Sequence, residues 1–413
     1  MYNNLRKDLI LSILTQLILM FTGLLINKLL SNNLNVEDYG LFNIIKRTAT
    51  IISFVLLGGM GIAIPKYVPQ SIDYTERFKF IISGLFLVIV ISVFFLIIVI
   101  IFEDSANRNI FNGGNNIIIS FFYGISITLL SFLYSYYRGR DKILLFNLVQ
   151  IFAQILILIL TLLYSKTVFY YIKYSIVINF LFFLIFFIYE VFKNYKICKV
   201  AIKNGLGSYI KELWNYGYSR MIGDLFLFSL TTIPLLIINK KFSGSDVAFF
   251  SVGITLTSLI SPIFSYIGVI LLPKVSQAIS EKRNNEVYRI VNKFIKMYVF
   301  ISILVILFIY LFDDLLIKLF FSESYLEARG IVFWVSLSIL PNSLYLLLRN
   351  PIDAISKIPF NTINLFISCF FGFALMWYSN TPIYIGKSYL LLQILLGSLS
   401  FLTWQLIKKK KYV

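Results

Sequence analysis

The chain has 413 residues, of which 59% are hydrophobic and 14% charged, with a mean hydropathy of +0.85. No soluble domain needs that much apolar surface, so the composition excludes a cytosolic enzyme and points to a polytopic membrane protein. The formal net charge of +18 is explained by membrane topology and attraction to anionic lipid, and no nucleic-acid partner is called for.

Met1 to Lys7 is short and basic, and the apolar run behind it is too long for a signal peptide, so it reads as a first span. Apolar segments then recur along the whole chain. Twelve are expected, over 9–29, 40–64, 78–102, 117–137, 143–164, 168–192, 214–238, 247–271, 296–312, 329–348, 358–379 and 384–406. Lys and Arg concentrate on one side of this pattern, notably at Lys193, Lys196, Lys199, Lys203 and Lys211, between Lys274 and Lys296, and at Lys408 to Lys411. The positive-inside rule therefore puts both termini and the polar stretch Phe192 to Leu213 in the cytoplasm. That stretch divides the chain into an N-terminal bundle (1–192), a basic linker (193–213), a C-terminal bundle (214–407) and a basic tail (408–413).

The two halves read as copies. Asp38 and Asp246, Phe42 and Phe250, and Pro65-Lys66 and Pro273-Lys274 are each 208 residues apart without a gap. In both copies an acid starts a helix on the outer side, where it suits the positive end of the helix dipole, and Pro-Lys is expected to end it on the inner side. Asn35 is a natural cap before Glu37 and Asp38. The repeated spans share one orientation. The expected fold is thus all-α, about twelve transmembrane helices in two six-helix bundles related by a pseudo-two-fold axis along the membrane normal. Cys198 falls in the linker and Cys369 in a span, which implies no disulfide or metal site, and there is no histidine.

Polar residues inside spans are the functional candidates. In WNYGYSRMIGDLFLFSLTTIPLLIINKK, from Trp214 to Lys241, Arg220 and Asp224 lie one turn apart. At about 1.5 Å per residue they sit roughly 9 and 15 Å past Trp214. They read either as a structural intrahelical pair or as an anion-gripping arginine oriented by an aspartate, since the guanidinium fork matches phosphate oxygens. Lys46 and Arg47 lie within the second span and either snorkel outward or face a cavity. Gln16 joins Ser12 on one face of the first span, and Asn147, Gln150 and Gln154 share a face of the fifth. Amides in this arrangement serve helix packing or cavity lining.

The motifs SRMIGD at 219–224, IP at 233–234, SDVAFFSVG at 245–253, GVILLPKVS at 268–276 and RNPIDAISKIPFNTINL at 349–365 carry a resemblance, as do VEDYGLFNI and LGGMGIAIPKYVP in the first half. Together they resemble the lipopolysaccharide and capsular polysaccharide flippases of the multidrug/oligosaccharidyl-lipid/polysaccharide exporter superfamily. The resemblance implies two six-helix bundles around a V-shaped cavity with a basic lining. It also implies export of undecaprenyl-pyrophosphate-linked oligosaccharide repeat units for O-antigen or capsule assembly in a bacterial inner membrane. It implies a transporter and not an enzyme, without a cofactor and driven by a proton or sodium gradient or by membrane potential. The implied partners are membrane lipids and polysaccharide polymerase machinery. Ser219 departs from the related pattern, which has Pro before the Arg. Two alternatives stand beside this reading. One is a drug/cation antiporter of the same superfamily. The other is a membrane glycosyltransferase or polymerase, for which Glu37-Asp38 would supply carboxylates, although the repeat at Asp246 favours helix capping.

Overall fold

The computed structural model describes residues 2–71, 73–164, 167–203, 205–261, 264, 284–356 and 358–410. The described residues are almost entirely helical, and eleven helical stretches are long and apolar enough to cross a membrane. Water is absent from a bilayer core, so a spanning segment must satisfy its backbone internally, which a helix does. Eleven of the twelve expected spans are present, with boundaries close to those expected. The remaining one, 247–271, begins as a helix at Gly244–Ser258, and most of the rest lies outside the described residues. The chain divides into two compact units, Met1–Phe228 and Ser229–Val413.

The first unit contains α1 (Tyr2–Asn33), α2 (Val36–Leu57), α3 (Met60–Gln70), α4 (Tyr74–Ile101), α5 (Glu103–Ile110), α6 (Ile117–Gly139), α7 (Ile143–Tyr164), α8 (Val168–Lys193), α9 (Tyr195–Lys203) and the first part of α10 (Gly207–Lys241). Helix α2 starts as expected, with the Asn35 side chain accepting from the Asp38 amide at 2.7 Å and Glu37 and Asp38 in the first turn. It stops at Gly58, and α3 restarts after Gly59. Both glycines have positive φ, 57° and 76°, a region that other residues enter only with strain. Pro65 does not end the inner helix, as had been expected. It lies inside α3, which continues to Gln70, and the break falls earlier, at the glycine pair. A proline fits within a helix at the loss of one hydrogen bond, whereas the left-handed pair reverses the backbone twist and does interrupt it.

Helix α6 is the hub of this unit and packs on α2, α3 and α8. Phe132, Leu133, Tyr136 and Tyr137 interlock with Met60, Ile64, Phe80 and Ile81 in its main core. Gly124 lets α2 come close, since a Cβ there would meet the Ala49 carbonyl at 3.0 Å, and the Thr128 hydroxyl donates across to the Ser53 carbonyl. Helix α4 turns Phe86, Ile89, Val93, Phe94 and Ile97 outward, the apolar dress of a lipid-facing span.

At one end of the unit a buried carboxylate gathers its surroundings. Glu190 of α8 is 3% exposed. It pairs with Arg140 Nη1 at 3.1 Å and with Lys142 Nζ, and accepts from Tyr136 Oη at 2.8 Å. Arg140 also bonds the Tyr74 hydroxyl and lies over the Phe78 ring. One carboxylate thus ties the α6–α7 turn to α8, and through Arg140 to the start of α4. The stretch expected as a linker is mostly helical. In α9, Cys198 and Ala201 bury against Phe78, and burial pushes the Cys198 thiol up, which disfavours the reactive thiolate.

The second unit holds the rest of α10, then α11 (Gly244–Ser258), α12 (Asn284–Leu311), α13 (Asp313–Phe320), a 3₁₀ turn (Glu323–Ala328), α14 (Arg329–Leu337), α15 (Ile339–Ile355), α16 (Phe360–Trp377) and α17 (Pro382–Lys410). Helix α11 opens with a reciprocal capping box between Ser243 and Asp246, the counterpart of the Asn35 cap on α2. The pairs that pack in this unit mirror those of the first: α11 with α14 as α2 with α6, α15 with α17 as α6 with α8, and α16 with α17 as α7 with α8. A short helix with two acids in its first turn follows the third span of each, α5 after α4 and α13 after α12. The polar stripe on α16 serves packing, since Asn364 donates to Thr403 at 3.1 Å and Asn361 to the Arg349 carbonyl at 2.9 Å.

Two outcomes are expected from this architecture. Asn107 is buried and accepts from the Asn116 and Ile117 amides, so the exposed neighbour Ser105 is the better reporter of the outer side. Both native cysteines are buried. Ser105→Cys is expected to react with an impermeant maleimide on intact cells, and Lys203→Cys only after permeabilisation; the opposite pattern overturns the orientation. The Glu190 network makes a second forecast. Removing one partner of a buried ion pair costs about 3–5 kcal/mol, so Glu190→Ala is expected to lower the melting temperature in detergent markedly. Glu190→Ala combined with Arg140→Met and Lys142→Met should restore much of it.

Candidate functional site

Three groups of polar residues in the first unit contain or adjoin the expected site residues. The first joins α1 to α7. Asn147 is fully buried and its Nδ2 donates to Ser12 Oγ at 3.2 Å and to its own helix at the Ile143 carbonyl, 2.9 Å. Gln150 Nε2 donates to the Phe146 carbonyl at 3.3 Å. Gln16 and Gln154 are half-buried. In this conformation Asn147 acts as interhelical glue. The seam is incompletely satisfied, since Asn147 Oδ1 and the buried Thr15 Oγ1 have no hydrogen-bond partner among the described residues, an arrangement that ordinarily costs about 1–3 kcal/mol per group.

The second group is on α2. Lys46 and Arg47 are both half-buried in mid-helix. Lys46 Nζ lies 5.5 Å from the Phe42 ring centre, and Phe42 is itself fixed edge-on by Tyr171 at 5.1 Å. An aromatic face holds an ammonium group by its quadrupole without neutralising it.

The third group connects α3 to α10. Gly59 and Gly217 bring the two backbones into contact: a Cβ on Gly59 would lie 2.2 Å from the Gly217 carbonyl oxygen, and one on Gly217 would lie 2.5 Å from that of Gly58. Further along, Lys66 Nζ sits 3.6 Å from the Tyr216 ring centre and 4.9 Å from that of Tyr67. Arg220, four residues after Tyr216 and exposed, rests its guanidinium 5.6 Å from the same ring. Tyr67 meets Tyr216 edge-on and stacks on Phe80, which meets Tyr209 edge-on. Lys66 and Arg220 thus share one tyrosine, and no salt bridge to either is found among the described residues. Asp224 is half-buried one turn further along α10 and has partners of its own.

The structure therefore brings Arg220 together with Lys66, a residue that the sequence reading treated as a repeat marker. Lys46 with Arg47 and the amides Gln16, Asn147, Gln150 and Gln154 lie on other helices. The available signal for the missed cluster was the pairing of KY at 66–67 with YGYSR at 216–220, two aromatic–cation strings near the ends of spans. Chemically the cluster offers two cations on aromatic faces, the requirements of a ligand with a multivalent anion and a stackable, hydroxyl-bearing ring.

Comparison with known proteins agrees with this picture at the level of fold and family. A family profile described as "Polysaccharide biosynthesis protein" matches residues 5–279. No curated protein sequence matches the chain. Among solved structures, an inward-facing multidrug resistance MATE family transporter of the MOP superfamily superposes with a TM-score of 0.79 at 14% identity, covering 95% of each chain. The lipid II flippase MurJ in an inward closed conformation superposes with a TM-score of 0.70 at 16% identity, over 96% of this chain and 87% of that one. A MATE structure in complex with MaL6 gives 0.67 at 15% identity, over 98% and 96%. At these identities the superpositions speak for the fold, while the profile spans well over half of the sequence. The chain is a multi-pass membrane protein of the polysaccharide biosynthesis family, built on the helical fold shared by the MATE transporters and MurJ.

Proposed function

We propose that this protein flips undecaprenyl-pyrophosphate-linked oligosaccharide repeat units from the cytoplasmic to the outer leaflet of a bacterial inner membrane, supplying O-antigen or capsule assembly. The observation that carries this reading is the Lys66–Tyr216–Arg220 cluster, two cations held at the membrane on an aromatic face and not on a carboxylate. A pyrophosphate entering such a site breaks no ion pair. It gains charge-assisted hydrogen bonds, bidentate at the arginine, which offset its desolvation. The stacked tyrosines beside it suit the apolar face of a sugar ring. Lys46 and Arg47, on α2, provide further positive charge along the first unit, and the amides Gln16, Gln150 and Gln154 provide hydrogen-bonding groups for glycan hydroxyls. Asp224 orients Arg220 or couples transport to an ion. Family membership and the lipid II flippase among the structural neighbours support a lipid-linked substrate.

The energetics favour export. Moving an anion outward through an inside-negative potential releases about 2.3 kcal/mol per charge per 100 mV. Net charge explains why a drug/cation antiporter is the weaker reading, since an organic cation would be repelled by the same cluster.

The test is transport of a fluorescent sugar-pyrophosphate polyprenol in proteoliposomes. Arg220→Ala is expected to abolish flipping, and Arg220→Lys to restore it partly because the fork is lost. Tyr216→Phe should be near wild type and Tyr216→Leu impaired, since only the ring face is needed. Asp224→Asn should be mild if the carboxylate only orients Arg220, and as severe as Arg220→Ala if it couples an ion. Full flipping by Arg220→Met with Asp224→Leu, or tight binding of small organic cations in place of the pyrophosphate lipid, overturns the proposal.

A further inference from the structure

Helix α9 (Tyr195–Lys203) follows the span α8 after a single residue, Asn194, whose side chain donates to the Glu190 carbonyl at 2.7 Å. Between Val191 and Lys211 the chain carries Lys193, Lys196, Lys199, Lys203 and Lys211 and no acid. The faces of α9 are sharply divided. Cys198 and Ala201 are buried against Phe78, near the start of α4, with Ile197 beside them. At about 100° per residue, Lys196, Lys199 and Lys203 form one stripe on the opposite side, and all three are exposed. Along one edge of that stripe lie Tyr195 and Ile202, 59% and 58% exposed, and along the other Val200, 48% exposed.

None of the three lysines meets a carboxylate, since the ion pairs among the described residues involve other side chains. The element that α9 packs against holds a further cation short of an acceptor. Arg77 immediately precedes Phe78, and its guanidinium lies 5.8 Å from the Tyr74 ring centre. Its buried Nε has no hydrogen-bond partner among the described residues. A buried donor left unmade is costly, and an oxygen of an anion would satisfy it.

We propose that the exposed face of α9 is a docking surface for the headgroups of anionic phospholipids in the surrounding bilayer. Charge complementarity and the order of the residues select this occupant. A tyrosine and an isoleucine left exposed beside a line of lysines is the pattern of an interfacial helix, with its apolar flank at the acyl boundary and its ammonium groups among the headgroups. A phospholipid offers both parts in that order. Free phosphate would leave Tyr195 and Ile202 in water, and a soluble acidic partner would answer the lysines alone. Position adds to the case, because α9 begins one residue after a membrane span and so lies where a lipid surface reaches it. Each lysine near an anionic surface adds to the attraction. The general bias of lysines toward one side of a membrane requires no such flank and no shared stripe. The inference does not depend on which substrate the protein carries.

The experiment measures which lipid gathers at α9. Both native cysteines are buried, so Ile202→Cys gives one reactive position for a fluorescent donor. The full-length protein is placed in phosphatidylcholine nanodiscs holding a small, equal fraction of tail-labelled acceptor, either phosphatidylglycerol or phosphatidylcholine. Energy transfer to phosphatidylglycerol is expected to exceed transfer to phosphatidylcholine about twofold or more at low salt. It should fall to parity in about 1 M salt, where the screening length is about 3 Å. Combining Lys196→Gln, Lys199→Gln and Lys203→Gln keeps residues that favour a helix and is expected to abolish the preference. Equal transfer to both lipids at low salt, or a preference that the triple variant keeps, overturns the proposal and leaves a solvated basic face or one kept for an acidic protein. If the triple variant does not fold, the salt comparison decides, and a preference unchanged in 1 M salt overturns the proposal.

Discussion

In a bilayer every backbone N–H and carbonyl must find its partner inside the protein, and the other features of this chain are accommodated to that demand. It explains why the described residues are helical and why interruptions are few. Where the helices do break, the break is screened. The turn at Gly58 and Gly59 is pressed against the backbone of α10 at Gly217. The interruption between α14 and α15 at Ser338 lies beside a small cavity lined by hydroxyl and apolar side chains. A loose carbonyl facing lipid would be costly, whereas one facing a neighbouring backbone or a hydroxyl is less so.

Charge is treated in two ways inside the first unit. Glu190 is given two cations and a tyrosine hydroxyl, which makes it a fastener among α4, α6, α7 and α8. Lys46, Lys66 and Arg220 are instead set on aromatic rings. A quadrupole holds a cation in position but does not cancel it, so these groups stay available to an incoming anion. The distinction between neutralised and merely positioned charge separates the structural cluster from the candidate site more clearly than depth in the membrane does.

Much of the architecture was legible in advance. Span positions follow from the length of apolar runs, and the caps at Asn35 and Asp246 follow from the chemistry of helix starts. The repeat was visible in the 208-residue register because each unit starts its repeated helix with an acid three residues after the cap, Asp38 after Asn35 and Asp246 after Ser243. Within the candidate site, Arg220 and Lys46 stood out because ionisable residues are rare inside spans. The partners Lys66 and Tyr216 did not, since each is ordinary in isolation and they are distant in sequence; only the Gly59–Gly217 contact brings them together. Asn147 was visible as a polar residue, but its full burial against Ser12 depends on how closely α1 and α7 pack.

The amino-acid sequence by itself determined the positions of the eleven spans found among the described residues, the helix starts and the family, because these depend on local hydropathy and hydrogen-bonding chemistry that each segment carries alone. The tertiary structure decided which cations are neutralised and which are only held on rings. It also decided which polar stripes are packing seams. Those outcomes depend on distances between helices far apart in the chain, set in part by where glycine permits close approach, and no single segment contains them.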